Sequence, residues 1–399
     1  MVERLIDVEK VTGSNPVLPT MKILAIETSC DETAFSLIEA TGDISSPSFN
    51  VLNTSLFSQI DIHKEYGGVF PAVAKREHAK NVVPLLKEVL NKEEKSGSTD
   101  LTSEKEELIK EILEREIDLF ENIQSFLKEN SKPNIDMLAV TYGPGLEPAL
   151  WVGINFARAL SIAWDIPVIP VNHMEGHLTS VLLEEKVAKL PAISLLISGG
   201  HTELIHIKDW GKYEVIGKTK DDAIGEAYDK VARMIGFPYP GGPKIAELAK
   251  EARDENLTDD AISFPRPMIH TTDLDFSFSG LKTAILYTVQ KIDDLNETKK
   301  KNIAREFEQA VVDVILKKTS KALDQTGSNT LIVGGGVIAN TYIRENLSKL
   351  AQNVYFPTQS LSTDNATMIA IAGYIKQFEY EPTVNPEIKA IGNASIEVR

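Results

Sequence analysis

Two histidines four residues apart, in His173-Met174-Glu175-Gly176-His177, have the spacing in this chain best suited to chemistry. On a helix such positions share one face, so both imidazoles can reach one divalent ion. Read alone, the pair serves equally well as a cap or as core hydrogen-bonding groups. A metal would need a third ligand. Asp364, in the polar turn Ser362-Thr363-Asp364-Asn365 ahead of an apolar helical run over 366–375, is the best candidate. Two imidazoles and a carboxylate would leave positions open for substrate oxygens. The spacing argues against a zinc peptidase, which needs glutamate directly after the first histidine. Met174 stands there, and Glu175 lies about 100° further round the helix.

Two glycine turns follow apolar runs, Ser198-Gly199-Gly200 and Gly334-Gly335-Gly336. Each lets backbone N–H groups approach an anion, and neither matches a Walker loop or the Gly-x-Gly-x-x-Gly pattern of dinucleotide sites. Singly, either reads as well as a tight strand–helix turn without a ligand. Together they favour a nucleotide clamped between two lobes. Asp229 precedes Pro238-Tyr239-Pro240-Gly241-Gly242-Pro243. Its carboxylate could accept from both hydroxyls of a ribose, with Gly242 letting backbone lie against the sugar. By spacing alone, an exposed Asp229–Lys230 helix pair is the plainer reading.

The elements that must position these groups read as α/β. Apolar runs at 22–26 and 34–38 flank a polar turn and predict a β-hairpin, and the same grammar returns at 192–197 and 203–207. This echo points to an internal duplication. Strand-like 137–141, helical 148–164 and strand-like 167–171 predict a βαβ unit, and the glycine turn at 334–336 leads into a helical pattern over 341–351. The Glu- and Lys-rich segment 92–133 reads as a helical insertion on the surface, a solvated charged hairpin with one apolar stripe (Leu108, Ile112, Phe120, Ile123, Leu127), with a partner-docking helix as the alternative. Ser103 with Glu106 forms its expected capping box. The expected organisation is a disordered leader over 1–20, lobe 1 over 21–171 including the insertion, lobe 2 over 172–365, and a C-terminal helix returning to lobe 1 with a tail over 366–399.

A chain of 399 residues suits two core-bearing units. Its 42 Lys+Arg against 58 Asp+Glu give a net charge of −16, unlike a free-standing nucleic-acid binder. A nucleic-acid substrate would need a local basic patch or a helper subunit. The sequence contains no apolar run long enough for a membrane span, and its start does not read as an export signal. Cys30 is the single cysteine, which suits a reducing compartment, so a cytoplasmic enzyme is expected.

Seven motifs occur in a fixed order: Ile26-Glu27-Thr28-Ser29-Cys30-Asp31-Glu32-Thr33, Gly143-Pro144-Gly145-Leu146, Asn172-His173-Met174-Glu175-Gly176-His177, Ser198-Gly199-Gly200-His201-Thr202, Pro240-Gly241-Gly242-Pro243, Phe276-Ser277-Phe278-Ser279-Gly280-Leu281-Lys282-Thr283 and Gly335-Gly336-Val337-Ile338-Ala339-Asn340. On these motifs the chain resembles the bacterial family of tRNA threonylcarbamoyladenosine transferases, formerly misnamed O-sialoglycoprotein endopeptidases. The resemblance implies the actin-like ATPase fold, an α/β architecture of two duplicated lobes with a nucleotide cleft between them. It implies transfer of a threonylcarbamoyl group from threonylcarbamoyl-AMP to the N6 amine of adenosine 37 in tRNAs reading codons that begin with A. By the matching motifs His173, His177 and Asp364 would hold one divalent metal, Fe2+ with Zn2+ as the alternative. Leu196, Ile197, Ser198, Gly199, Gly200, Asp229, Gly242 and Asn340 would bind the adenylate. Asp31 and Glu32 are the candidates for taking the amine proton. The implied partners are tRNA, an inactive homologous subunit and a small ATPase, with no membrane.

Two departures stand out. Glu147-Pro148 replaces the small residue and glycine usual in bacterial relatives, and Leu196 stands where archaeal relatives carry tyrosine. A small-molecule kinase of the same fold would use the glycine turns but has no need of the histidine pair. An inactive scaffold subunit would not require the intact set His173, His177 and Asp364.

Overall fold

The computed structural model describes residues 19–90, 97–184, 188–259 and 261–397. All but the last two residues of the expected leader, and the start of the insertion up to residue 96, lie outside the described residues. The first sheet is built from β1 (Met21–Glu27), β2 (Glu32–Thr41) and β3 (Ser48–Ser58), joined through α1 (Ile60–Lys64), α2 (Pro71–Leu90), α3 (Ser103–Ile112) and α4 (Ile117–Glu129) to β4 (Met137–Gly143), α5 (Glu147–Trp164) and β5 (Val168–Asn172). A short helix, α6 (His173–Thr179), leads towards the second sheet. There β6 (Ala192–Ile197), β7 (Thr202–Asp209) and β8 (Lys212–Lys218) precede α7 (Ile224–Met234), α8 (Gly242–Asp254), α9 (Ser279–Gln290) and α10 (Glu297–Thr326). The chain continues through β9 (Thr330–Gly334), α11 (Thr341–Leu347), β10 (Asn353–Tyr355), α12 (Gln359–Ser362) and α13 (Ala366–Lys376).

The two sheets repeat one topology. Their strand orders are β3-β2-β1-β4-β5 and β8-β7-β6-β9-β10. In each, the first three strands in sequence pair antiparallel, and the last two add in parallel to the first. Both predicted hairpins are present, with Ile26 opposite Phe35 and Ile197 opposite Thr202. The predicted βαβ unit is β4-α5-β5.

Alternation along the central strands explains the layering. In β1, Leu24 and Ile26 face an outer core shared with α2 and α5, while Ile23 and Ala25 face inward. In β6, Ile193, Leu195 and Ile197 face the other outer core, while Ala192 and Leu196 face inward. Both faces of these strands are covered, so the sequence reads as a continuous apolar run. The inner faces meet in one central core that holds α6 and α13, with Met174, Leu178, Met368 and Ile369 buried between the sheets. α13 lies against β1, β2, β4 and β5 of the first sheet. Among the described residues no helix is long and apolar enough to cross a membrane.

Three local expectations are corrected. The cap of α3 is Thr102, whose hydroxyl accepts from the Lys105 N–H at 3.3 Å, and Ser103 is already the first helical residue. The segment is also more than a solvated hairpin. Ile109, Leu113, Leu119, Ile123, Phe126 and Leu127 join the outer core of the first sheet, while Leu108 remains exposed. The helical pattern expected to 351 ends at Leu347.

Candidate active site

The helix carrying the histidines begins where β5 ends. Asn172 caps it, its Oδ1 accepting from the N–H groups of Met174 (2.9 Å) and Glu175 (3.4 Å). The cap is itself held, because Asn172 Nδ2 donates to the Ser395 carbonyl at 3.0 Å. His173 and His177 follow one turn apart, with ring centroids 4.8 Å apart and planes at 86°. Asp364 reaches them from the turn between α12 and α13, next to Asn365, whose Oδ1 caps α13 through the Met368 N–H at 3.0 Å. Asp364 Oδ1 lies 3.3 Å from His173 Nε2 and 3.2 Å from His177 Nε2. One donor atom from each of the three side chains lies within 4.8 Å of the others.

The chemistry of this cluster fits a divalent metal. Both ring nitrogens of His177 are buried and make no hydrogen bond, since Asp364 Oδ1 is close to Nε2 but off the hydrogen-bonding direction. A buried polar atom left unpaired costs about 1–3 kcal/mol, which a lone pair given to an ion avoids. Two imidazole nitrogens and a carboxylate are ligands of a first-row divalent ion with open positions. Burial alone would raise the Asp364 carboxyl, but His173 and His177 hold it far below its ordinary range.

Glu27, which sequence reasoning did not single out, completes the centre. It ends β1, is fully buried, and accepts from His173 Nδ1 at 2.9 Å and Thr141 Oγ1 at 2.7 Å. Its other oxygen accepts the Ser29 N–H at 2.5 Å. Ser29 Oγ is also 3.2 Å from His173 Nδ1. With Glu27 on Nδ1, the His173 lone pair is directed to Nε2, the nitrogen facing Asp364. Burial alone would raise the Glu27 carboxyl, yet the His173 charge and hydrogen bond hold it below its usual value. The available sequence signal was a carboxylate closing an otherwise apolar strand. Gly145 packs against this turn. It sits at φ +158, and a Cβ there would come 2.5 Å from the Ser29 carbonyl oxygen.

Beside the centre lies a cleft of about 900 Å³ walled by α7, α8 and the start of α11. It brings together Gly199, Asp229, Gly242 and Asn340, along with Gly336. A Cβ added at Gly199, Gly200, Gly242 or Gly336 would meet nothing within 4 Å. Leu196 and Ile197 point their side chains elsewhere, one into the central core and the other into the outer core, so only their backbone leads to the cleft. Ser198 is committed to its own turn. Its N–H donates to the His201 carbonyl at 2.9 Å, and its Oγ accepts the His201 N–H at 3.1 Å, which removes one donor from the expected nest.

Asp229 Oδ1 accepts from the N–H groups of Gly241 (2.7 Å) and Gly242 (3.3 Å), so part of this carboxylate holds the glycine loop. The plainer Asp229–Lys230 pair does not form, because Lys230 instead bonds Asp222 at 2.9 Å and Glu226 at 2.7 Å. Asn340 caps α11 through the Ile343 N–H at 3.1 Å and donates Nδ2 to Glu308 at 2.5 Å. Asp31 and Glu32 occupy the end of the β1–β2 turn and the first position of β2. Glu32 accepts from Ser58 Oγ at 3.1 Å, and burial, with Asp31 and Asp364 nearby, pushes its carboxyl well above the usual range. Burial and the charges of His173 and His177 push His201 down to about 4, so it is neutral at physiological pH.

The chain matches the family model described as tRNA N6-adenosine threonylcarbamoyltransferase over residues 50–101 and 117–371. It is 42% identical over 362 residues to a protein of that name from Paraburkholderia xenovorans, covering 89% of this chain and 92% of the relative. A relative of the same name from Thermosipho africanus is 41% identical over 380 residues, covering 94% of this chain and all of the relative. Among solved structures the chain is similar to full-length HypF in a phosphate- and nucleotide-bound form, with TM-score 0.54 and 13% identity over 92% of this chain and 57% of that one. That likeness speaks to the fold, in accord with the two lobes of the actin-like ATPase architecture.

Proposed function

This chain belongs to the tRNA N6-adenosine threonylcarbamoyltransferase family, and from that premise we propose that it transfers threonylcarbamoyl from threonylcarbamoyl-AMP to N6 of adenosine 37, releasing AMP. The observation that carries this reading is the convergence of His173, His177 and Asp364 beside a glycine-walled cleft. A kinase of the same fold has no use for that triad, and an inactive scaffold has no reason to bury it with unpaired His177 nitrogens.

An adenine N6 lone pair is delocalised into the ring, so the acyl donor must be activated and held in line. In the proposed reaction N6 bonds the carbamoyl carbon, the bond from that carbon to the AMP phosphate oxygen breaks, and one N6 proton leaves. Gly199, Gly200, Gly242 and Gly336 give the adenylate space against the backbone, with Asp229 and Asn340 fixing that wall, while Leu196, Ile197 and Ser198 place the turn. Of the two candidate carboxyls, Asp31 is the proposed proton acceptor. Burial, with Asp31 and Asp364 nearby, favours the protonated form of Glu32, which suits it to donate a hydrogen bond. His173, His177 and Asp364 would hold a divalent ion, proposed as Fe2+ with Zn2+ as the alternative, which when bound supplies Lewis-acid polarisation of substrate oxygens. Glu27 and Ser29 orient His173. The net charge of −16 supports assistance from partner subunits in holding tRNA, an inactive homologue and a small ATPase, in the cytoplasm.

The test is reconstitution. The purified chain, those two subunits, threonylcarbamoyl-AMP and tRNA are incubated, and the digested nucleosides are analysed by mass spectrometry. Threonylcarbamoyladenosine is expected with the wild-type chain and not with His173→Ala. No product from the wild type, or full activity in His173→Ala, overturns the reading.

A further inference from the structure

We infer that Glu308 is a positioning residue for the adenylate: a buried carboxylate on α10, outside the cleft, that fixes three of the cleft's wall residues through hydrogen bonds. The inference rests on the reading of the cleft as the adenylate site.

Glu308 is fully buried in the middle of α10. A carboxylate taken out of water is tolerated only where donors replace its hydration. Here three converge: the Arg253 guanidinium from α8, Asn340 Nδ2 at 2.5 Å from the head of α11, and the Tyr228 hydroxyl at 3.4 Å from α7. All three donors line the cleft, and Glu308 does not. The arrangement leaves little freedom at Asn340. Its Oδ1 is spent on the Ile343 N–H and its Nδ2 on Glu308, so the amide cannot flip without breaking both bonds. The neighbouring Gln309 extends the support. It accepts from the Tyr342 hydroxyl at 2.6 Å, and Tyr342 in turn stacks under Arg253, with the guanidinium carbon 3.6 Å from the ring centroid. Through one helical turn, α10 therefore fixes wall residues that arrive from three other helices. A core merely needing to be filled would be served by an apolar side chain at 308. A carboxylate there instead sets the direction of polar groups facing a ligand.

The experiment measures AMP binding to the full chain by calorimetry for wild type, Glu308→Gln, Asn340→Ala and the double variant, together with KM and kcat for threonylcarbamoyl-AMP in the reconstituted system. Glu308→Gln keeps the volume but turns an N–H2 group towards the incoming donors. AMP Kd and KM are expected to rise about tenfold with kcat changed less than about twofold, and Glu308→Gln is expected to add only about threefold in the Asn340→Ala background, where Arg253 and Tyr228 still depend on it. Tyr228→Phe, which removes one donor and preserves packing, is expected to weaken AMP about threefold and keeps the test open should Glu308→Gln fold poorly. Unchanged AMP affinity in these variants, or effects of Glu308→Gln and Asn340→Ala that multiply in full, overturns the inference while leaving the adenylate reading intact. Failure of the wild type to bind AMP removes that reading and the inference with it.

Discussion

Replacing Glu27 should weaken the metal centre without touching a metal ligand. Glu27 accepts the His173 Nδ1–H at 2.9 Å while two further donors, Thr141 Oγ1 and the Ser29 N–H, hold its own oxygens in place. It therefore fixes both the ring orientation and the tautomer that presents Nε2 to Asp364. Outer-shell partners of this kind are worth about 10- to 100-fold in metal affinity, or about 1.4–2.7 kcal/mol. Glu27→Gln keeps an acceptor oxygen and the volume but loses the charge, so it belongs at the lower end, near tenfold. In Glu27→Ala only Ser29 Oγ, at 3.2 Å, is left for Nδ1, which places that variant near the upper end. The assay strips the chain of metal and titrates it with Zn2+ or Co2+ against a chelator of known affinity, with urea unfolding as the control for folding. Metal affinity within about twofold of wild type in a folded Glu27→Ala protein would refute the reasoning.

Gly199 lines the cleft with open space where a Cβ would stand. Gly199→Ala should leave unfolding free energy within about 0.5 kcal/mol of wild type but weaken AMP about tenfold, and unchanged calorimetric affinity would count against the glycine wall. Burial holds His78 below its ordinary value of 6.5, between Thr33 Oγ1 at 2.8 Å and the Cys30 carbonyl at 3.0 Å. Above pH 6.5 the ring is neutral in both the folded and unfolded chain. Below it the unfolded chain gains a proton that the folded chain resists, so stability falls with acid by up to about 1.4 kcal/mol per pH unit from this group. His78→Gln should show a shallower loss in urea unfolding as pH falls below about 6.5, and parallel slopes would contradict the assignment. Thr102→Ala should cost about 1 kcal/mol and Ser103→Ala less than about 0.5, with the reverse order in denaturant midpoints pointing to the other cap.

The layered α/β plan was legible because it depends on short-range pattern. Apolar runs around the turn from Thr28 to Asp31 and around Ser198 to His201 can form hairpins with few alternatives, and the histidine pair shares a face on any helix. Positions that depend on phase or burial were less legible. A one-residue change of cap from Ser103 to Thr102 accompanies the burial of Ile109 in place of Leu108. Glu27 and Glu308 were not singled out, since the sequence does not display the donors that bury them, which arrive from Thr141, His173, Arg253 and Asn340. Ser198 looked like a free nest donor because its partner, the His201 carbonyl, depends on how the turn closes.

Anomalous diffraction at the absorption edge of the bound metal, from crystals of the purified chain, tests the central claim most directly. A single peak within bonding reach of His173 Nε2, His177 Nε2 and the Asp364 carboxylate is the predicted result. A fully occupied metal elsewhere, with these three side chains joined only to one another, would contradict it.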